Sequence, residues 1–438
     1  MKDLNNMKGR LIFSNIRKDF RKRIGENMIN WNETWKKNVT VFLGGQTISL
    51  FGSLLVQYAI SWYIVLRTQS GVMMTIAIVC GFLPTLFLSP FAGVWADRYN
   101  RKTLIILSDS VIAASTLILA ILFLLGYDAL WLLFVISAIR ALGTAIQTPT
   151  VGAFLPQLVP EDQLMKVNAT YGSVQSMIML VCPMLSGALL TVTDIEAIFF
   201  IDVVTAVIAV SVLLLFLHVP IHAKAVENQS VSYLSDMRGG LTYIKNHEFV
   251  KKLFLFCAIF LFFIAPAAFL TPLQVTRSFG NDVWRLTAIE VTFSLGMMVG
   301  GIIMFSWGGF NNKIHTMVLS SLVTGICTFA LGITPVFWIY LIFMGLIGVG
   351  MPFFNTPFTV LLQQKIEGDF LGRIFGVFTM ISSSMMPLGM LVFGPVSDLI
   401  KIEWLLIGTG LVLFVQSFFL LGSKVLIEAG KPISDIEQ

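Results

Sequence analysis

Gly93-Val94-Trp95-Ala96-Asp97-Arg98-Tyr99-Asn100-Arg101-Lys102 is a charged island, and its placement decides how the rest of the chain is read. Just upstream, residues 38–66 and 68–96 contain no Asp, Glu, Lys or Arg, and the same is true of 167–193, 253–276 and 314–364. Each run is long enough for one or two membrane-crossing helices of ~20 residues. Of the 438 residues, 56% are hydrophobic and only 12% charged, against roughly 25% charged in soluble domains. Backbone groups in lipid must pair within the chain, so these runs are helices. Their near-continuous apolarity excludes the alternating strands of a membrane β-barrel.

Twelve spans are predicted, near 38–66, 72–96, 103–125, 130–155, 167–191, 196–217, 252–275, 287–307, 314–334, 336–362, 373–397 and 403–422. The longest polar break separates two sets of six. The expected organisation is a basic N-terminal segment (1–37), a first bundle (38–217), a central loop (218–251), a second bundle (252–422) and a tail (423–438). The halves echo one another: Thr148-Pro149 in the fourth span recurs as Thr356-Pro357 in the tenth, and Pro183 in the fifth as Pro387 in the eleventh. Internal repeats of this kind build transporter folds.

Cations set the orientation, because loops rich in Lys and Arg stay in the cytoplasm. With both termini inside, 24 of the 29 Lys and Arg fall on the cytoplasmic side. The outer side keeps Arg67, Arg277, Arg285 and Lys401, and Arg140 lies within a span. The net charge of +5 therefore reports topology and anionic lipid headgroups, with no nucleic-acid partner implied. Leu11, Ile12, Phe13, Ile16, Phe20 and Ile24 punctuate the basic N-terminal segment and suggest an amphipathic helix on the inner leaflet, with a disordered tail as the alternative. Cys80, Cys182, Cys257 and Cys327 lie within spans and form no C-x-x-C pair, so they read as packing residues; no metal site and no cofactor is expected. Nor does any nucleotide loop or nucleophile constellation point to an enzyme.

The charged island resembles the loop signature G-x-x-x-D-R-x-G-R-[RK] between the second and third helices of the major facilitator superfamily. Every charged position matches, and Asn100 replaces the usual Gly, which Asn can imitate at a positive φ. Further stretches are most similar to the superfamily's macrolide-efflux branch of bacterial drug:proton antiporters. They are Gly81-Phe82-Leu83-Pro84, Ile139-Arg140 through Thr148-Pro149, Leu158 through Leu164, Ile201-Asp202 and Leu371-Gly372-Arg373-Ile374-Phe375. This resemblance implies an all-α fold of twelve transmembrane helices in two six-helix bundles, alternating access, and a monomer in the cell membrane exporting lipophilic compounds such as macrolide antibiotics in exchange for protons. In such a protein Gly93, Asp97, Arg98, Arg101 and Lys102, with Gly372 and Arg373 opposite, would form a cytoplasmic latch. Two positions depart from the antiporter pattern: Cys182 and Ser186 stand where the fifth-helix signature G-P-x-x-G-G has glycines. The second copy of the loop, Gly308 through Lys313, has lost its acid and its arginines.

Ionisable groups inside lipid are expensive and carry the functional signal. Arg140 requires a partner, with Asp202 or a substrate anion as candidates, and a permanent Arg–Asp staple is the structural alternative. Asp109, Asp202 and Glu290 are the acids well inside the spans, each able to take up and release a proton as its access to water alternates. Asp109 could instead belong to the network around Asp97 and Arg101. Gln46, Ser49, Ser53 and Gln57 recur at spacings of 3, 4 and 4 on one helical face. Thr144 and Gln147 follow Arg140, Asn355 lies in the tenth span, and the seventh offers Phe256, Phe260 and Phe263. The resemblance places the first, fourth, seventh and tenth helices around a central cavity. Uncharged amides against a wall of Phe suit a bulky amphipathic substrate. A lipid flippase or lysolipid transporter, or a siderophore exporter, of the same fold is the alternative. A non-transporting scaffold or sensor would need a larger soluble domain than 218–251 supplies.

Overall fold

The structure, a computed structural model, describes residues 2–217 and 242–431; the side chains of 1–34, 89, 90, 93, 94, 97, 161, 368 and 369 lie outside the described set. The basic N-terminal segment, the centre of the 218–251 loop and the carboxylate Asp97 are therefore expectations on which the described residues do not bear. In chain order the helices are α1 (Lys2–Thr68), α2 (Gly71–Arg98), α3 (Arg101–Leu124), α4 (Leu130–Leu158), α5 (Glu161–Val192), α6 (Ile195–Phe216) and α7 (Glu248–Phe269). They continue as α8 (Thr271–Ser278), α9 (Val283–Trp307), α10 (Lys313–Ile333), α11 (Phe337–Lys365), α12 (Gly368–Leu399), α13 (Ile402–Gly422) and α14 (Lys424–Ala429).

Among the described residues, twelve stretches are long and apolar enough to cross a membrane, the first being Trp35–Thr68 and the seventh joining α7 and α8 as Glu248–Ser278. The chain is thus a multi-pass membrane protein with the predicted spans in the predicted order. Several helices outrun them: α5 starts at Glu161 and α12 at Gly368, where the apolar pattern suggested 167 and 373. A helix can carry its hydrogen-bond ladder past the lipid while its polar end residues stay wet. In the seventh span Leu270 leaves the helix, and Pro272 in the first turn of α8 cannot donate a backbone bond to the preceding turn.

The turns are set by caps. Ser70 opens α2 by accepting from the Met73 N–H, and Asn100 opens α3 by accepting from Thr103. Asn100 has φ −64° and ψ 114°, so the expected positive φ is corrected: Asn serves there as a helix N-cap, which Gly cannot do with a side chain. Asn312 repeats the device at α10, accepting from Ile314. The two loops correspond in capping although the second has lost its acid and its arginines.

Helices α1 to α6 and α7 to α13 form two bundles whose shared seam is α2 against α12 and α5 against α9. Small residues allow the closest approaches, as usual where lipid gives no hydrophobic drive between helices. A Cβ added at Gly296 of α9 would collide with the Gly345 carbonyl of α11, and one at Gly71 with the Gly394 carbonyl of α12. Trp62, Val65 and Met74, from the facing ends of α1 and α2, belong to the apolar core of the second bundle, so the bundles are fused at that end. Gly376 lies about five turns before Gly394 on the same face of α12. Among the described residues, a Cβ there would meet nothing within 4 Å, nor would one at Gly372, and both glycines are exposed. The α12 face that grips α2 at one end is open at the other, where the α2–α3 loop lies.

Candidate functional site

Inside the first bundle, α1, α3 and α4 each present two polar residues to the same interior, one or two turns apart, and α6 adds one. The result is two stacked layers. In the first, Arg140 of α4 reaches Asp202 of α6 with Nη1 at 2.5 Å from Oδ2, and its Nη2 donates to the Ser53 carbonyl at 3.1 Å. Thr116 of α3 bridges the pair, accepting from Arg140 and donating to Asp202 Oδ2 at 2.9 Å. The Ser53 hydroxyl lies 3.3 Å from the other carboxylate oxygen. Asp202 is 1% exposed and Arg140 9%, so the pair is shielded on all sides. Breaking such a pair is expensive, because it strands a charge in a low dielectric.

The second layer holds a different kind of acid. Asp109 of α3 is also 1% exposed, yet no cation faces it among the described residues. Its Oδ1 accepts from the Ser49 hydroxyl at 2.7 Å and the Gln147 amide at 2.6 Å, while Oδ2 has no hydrogen-bond partner. Neutral donors and a bare second oxygen suit a carboxyl that carries a proton for part of its cycle. Ser49 and Ser53 are one turn apart, and Asp109 and Thr116, like Arg140 and Gln147, are about two turns apart. The layers thus share three helices.

Of the two open partners for Arg140, the structure selects Asp202. Asp109 joins Ser49 and Gln147, and Arg101 instead donates to the carbonyls of Ala96 and Ala153 at 2.8 Å each. Glu290, half-buried on α9, stands within electrostatic reach of Tyr58 across the seam. The polar stripe of α1 divides: Gln46 and Ser49 turn inward to Asp109 and Ser53 to Asp202, while Gln57 is exposed. Thr144 on α4 and Asn355 on α11 are exposed. Phe256 and Phe260, expected on a cavity wall, are corrected: they stack with Phe354 in the core of the second bundle, leaving Phe263 only partly buried beside Phe393. They pack inward because the apolar seventh span buries most of its circumference.

Among the expected latch residues, Arg98 and Gly372 are exposed, Lys102 donates to the Leu217 carbonyl at 2.7 Å, and the Arg373 guanidinium lies over the Phe370 ring. The two residues replacing fifth-helix glycines are fully buried and point at α1. Cys182 Sγ lies 3.6 Å from the Phe51 carbonyl, and the Ser186 hydroxyl donates to Leu55 at 3.2 Å. They pin α5 to α1 where glycine would let it slide.

Sequence reading missed Thr116, because hydroxyls in apolar helices usually bond their own backbone. It also missed a neutral network in the second bundle, where Tyr340 donates to Gln274 at 2.8 Å and Gln274 to the Leu331 carbonyl at 3.0 Å. Asp398 and Arg277, at the ends of their spans, carried no role in the sequence reading. They form an ion pair of 2.7 Å.

Comparison with known proteins agrees with this architecture. The family model described as "Major Facilitator Superfamily" matches residues 42–390. Macrolide efflux protein A of Streptococcus pyogenes is 30% identical over 384 residues, covering 87% of this chain and 95% of that protein. The Enterococcus faecalis protein of the same name is 31% identical over 312 residues, covering 71% and 96%. A bacterial homologue of the human lysosomal transporter Spinster, solved inward-facing and unoccupied, superposes with a TM-score of 0.68 at 11% identity over 91% of this chain and 99% of that one.

Proposed function

Because the chain belongs to the major facilitator superfamily, we propose that it is a secondary exporter of bulky, lipophilic or amphipathic compounds of the macrolide kind, driven by proton antiport. The single observation that carries this is Asp109, a buried carboxyl held by Ser49 and Gln147 with one oxygen unpartnered and no facing cation among the described residues. Asp202 is committed to Arg140, which leaves Asp109 inside the first bundle, and Glu290 at the seam, as acids free to exchange a proton. In this reading the Lys- and Arg-rich loops face the cytoplasm, and the open face at Gly376 is the cytoplasmic entrance. Substrate entering between the bundles meets Gln57, Thr144 and Asn355 among apolar groups, which favours a large molecule with few hydrogen-bonding groups. The similarity to macrolide efflux proteins supports the substrate class.

Proton release from Asp109 would leave Oδ2 as a bare acceptor beside the already bonded Oδ1, and the desolvated charge would then draw the α3–α4 layer together. Such coupling needs only that the two states of the transporter differ in proton affinity. The test is transport of a macrolide and of lysolipid by purified protein in proteoliposomes, with and without a pH gradient. Macrolide movement that requires the gradient is expected. Movement that persists with the pH gradient collapsed and a sodium gradient intact contradicts proton coupling, and lysolipid transport without macrolide transport contradicts the substrate class.

A further inference from the structure

At the fused end of the bundles one carboxylate ties both halves together. Asp398, near the C-terminus of α12, accepts from the Gly71 N–H at 2.8 Å, the Val72 N–H at 3.0 Å and the Ser70 hydroxyl at 2.7 Å, which are the first groups of α2. Arg277 of α8 donates to the same carboxylate at 2.7 Å, to the Ser397 carbonyl at 2.7 Å and to the Gln69 carbonyl at 2.5 Å. Gln69 in turn donates to Asn281 at 2.8 Å. Gln69 is also the described non-glycine residue with a positive φ, 46°, a backbone state that persists only where its surroundings hold it.

We infer that Asp398 and Arg277 are positioning residues of the transport cycle: an outer latch that holds the inward-open state. The carboxylate satisfies orphan N–H groups of α2 and faces the positive end of that helix dipole, while Arg277, from the broken seventh span of the same bundle as Asp398, neutralises it and itself reaches across to the Gln69 carbonyl. The bonds from Ser70, Gly71 and Val72 to Asp398, from Arg277 to Gln69 and from Gln69 to Asn281 cross the seam and must break when the outer end opens, while those from Arg277 to Asp398 and Ser397 stay within the second bundle. The antiparallel arrangement makes the device reciprocal. At the inner end Asp97, near the C-terminus of α2, is the sequence counterpart that would meet the N-terminus of α12. Each helix ends in an acid suited to cap the other, and the two caps serve opposite states because α2 and α12 close at one end as they part at the other.

The test is the conformational equilibrium of the purified full chain, read from spin-label distances for the exposed pairs Tyr99 with Phe310 and Tyr127 with Val336. In Asp398→Asn the inward-open to outward-open ratio should fall about tenfold, the factor set by loss of one charge-assisted cap. Arg277→Gln should shift it the same way, and Ser70→Ala, which removes one arm, by less. The swap Asp398→Arg with Arg277→Asp restores the ion pair but puts a cation at the start of α2, so it should not restore the ratio. Unchanged distances in both Asp398→Asn and Arg277→Gln overturn the latch, and full rescue by the swap overturns the cap. If Asp398→Asn does not fold, Arg277→Gln and Ser70→Ala decide alone. The readout needs neither substrate nor proton gradient, so its failure is distinct from failure of the proposed export function.

Discussion

Asp109 and Asp202 are equally buried, yet one faces neutral donors and the other a guanidinium. Asn at 109 can still accept from Ser49 and Gln147 through its carbonyl oxygen, so Asp109→Asn should fold. Export driven by a pH gradient should fall at least about tenfold, the effect of removing one general acid–base group, while exchange of internal for external substrate without a gradient continues. Proteoliposome flux under the two conditions measures both, and equal loss in both would assign Asp109 a structural role. For the other acid the concern is stability. Asp202→Asn leaves Arg140 buried with the amide oxygen, Thr116 and the Ser53 carbonyl as acceptors but no counter-charge, at a cost of about 3–5 kcal/mol. The double change Arg140→Met with Asp202→Leu should regain most of that in thermal unfolding, because it removes both charges together. If the double variant also transports normally, the pair is a staple and nothing more. Arg140 was legible in the sequence because a lone cation in an apolar run must have a partner. Thr116 was not, since nothing about a single threonine distinguishes a bridge from a backbone bond.

At the scale of helices, the apolar runs fixed the number and order of spans, because lipid allows no other use for them. Contacts between helices were far less legible. The face of α9 that meets α11 depends on Gly296 and Gly300, whose missing side chains admit the carbonyls of Gly345 and Val349. Gly301, next in sequence, faces open space. Composition cannot tell such neighbours apart, and only the angular position on the helix does. Gly296→Val should therefore cost about 1–3 kcal/mol through overpacking, whereas Gly301→Val should change the unfolding temperature little. Thermal unfolding in detergent compares them directly. Phe256 and Phe260 show the same limit: a helix apolar all round does not announce which side faces a cavity.

For the whole molecule the informative contrast is between Gly394 and Gly376. They share one face of α12, but the first is held against Gly71 and Thr75 while the second has no neighbour within 4 Å of a Cβ position. If the transporter alternates, α2 must close over the Gly376 region as it leaves Gly394, and a large side chain there would hold the inner end ajar. Gly376→Phe should then fold normally, since Gly376 is exposed and no described residue lies within 4 Å of its Cβ position, and should bind substrate from the cytoplasmic side with affinity within about threefold of the parent. Its export rate should drop at least about tenfold, because a blocked return step removes turnover without touching the binding groups. Equilibrium binding and flux on the same preparation separate the two effects. Normal flux in Gly376→Phe would mean that α2 never packs on this face, and the inner closure would have to be made elsewhere in the bundle seam, at α5 and α9.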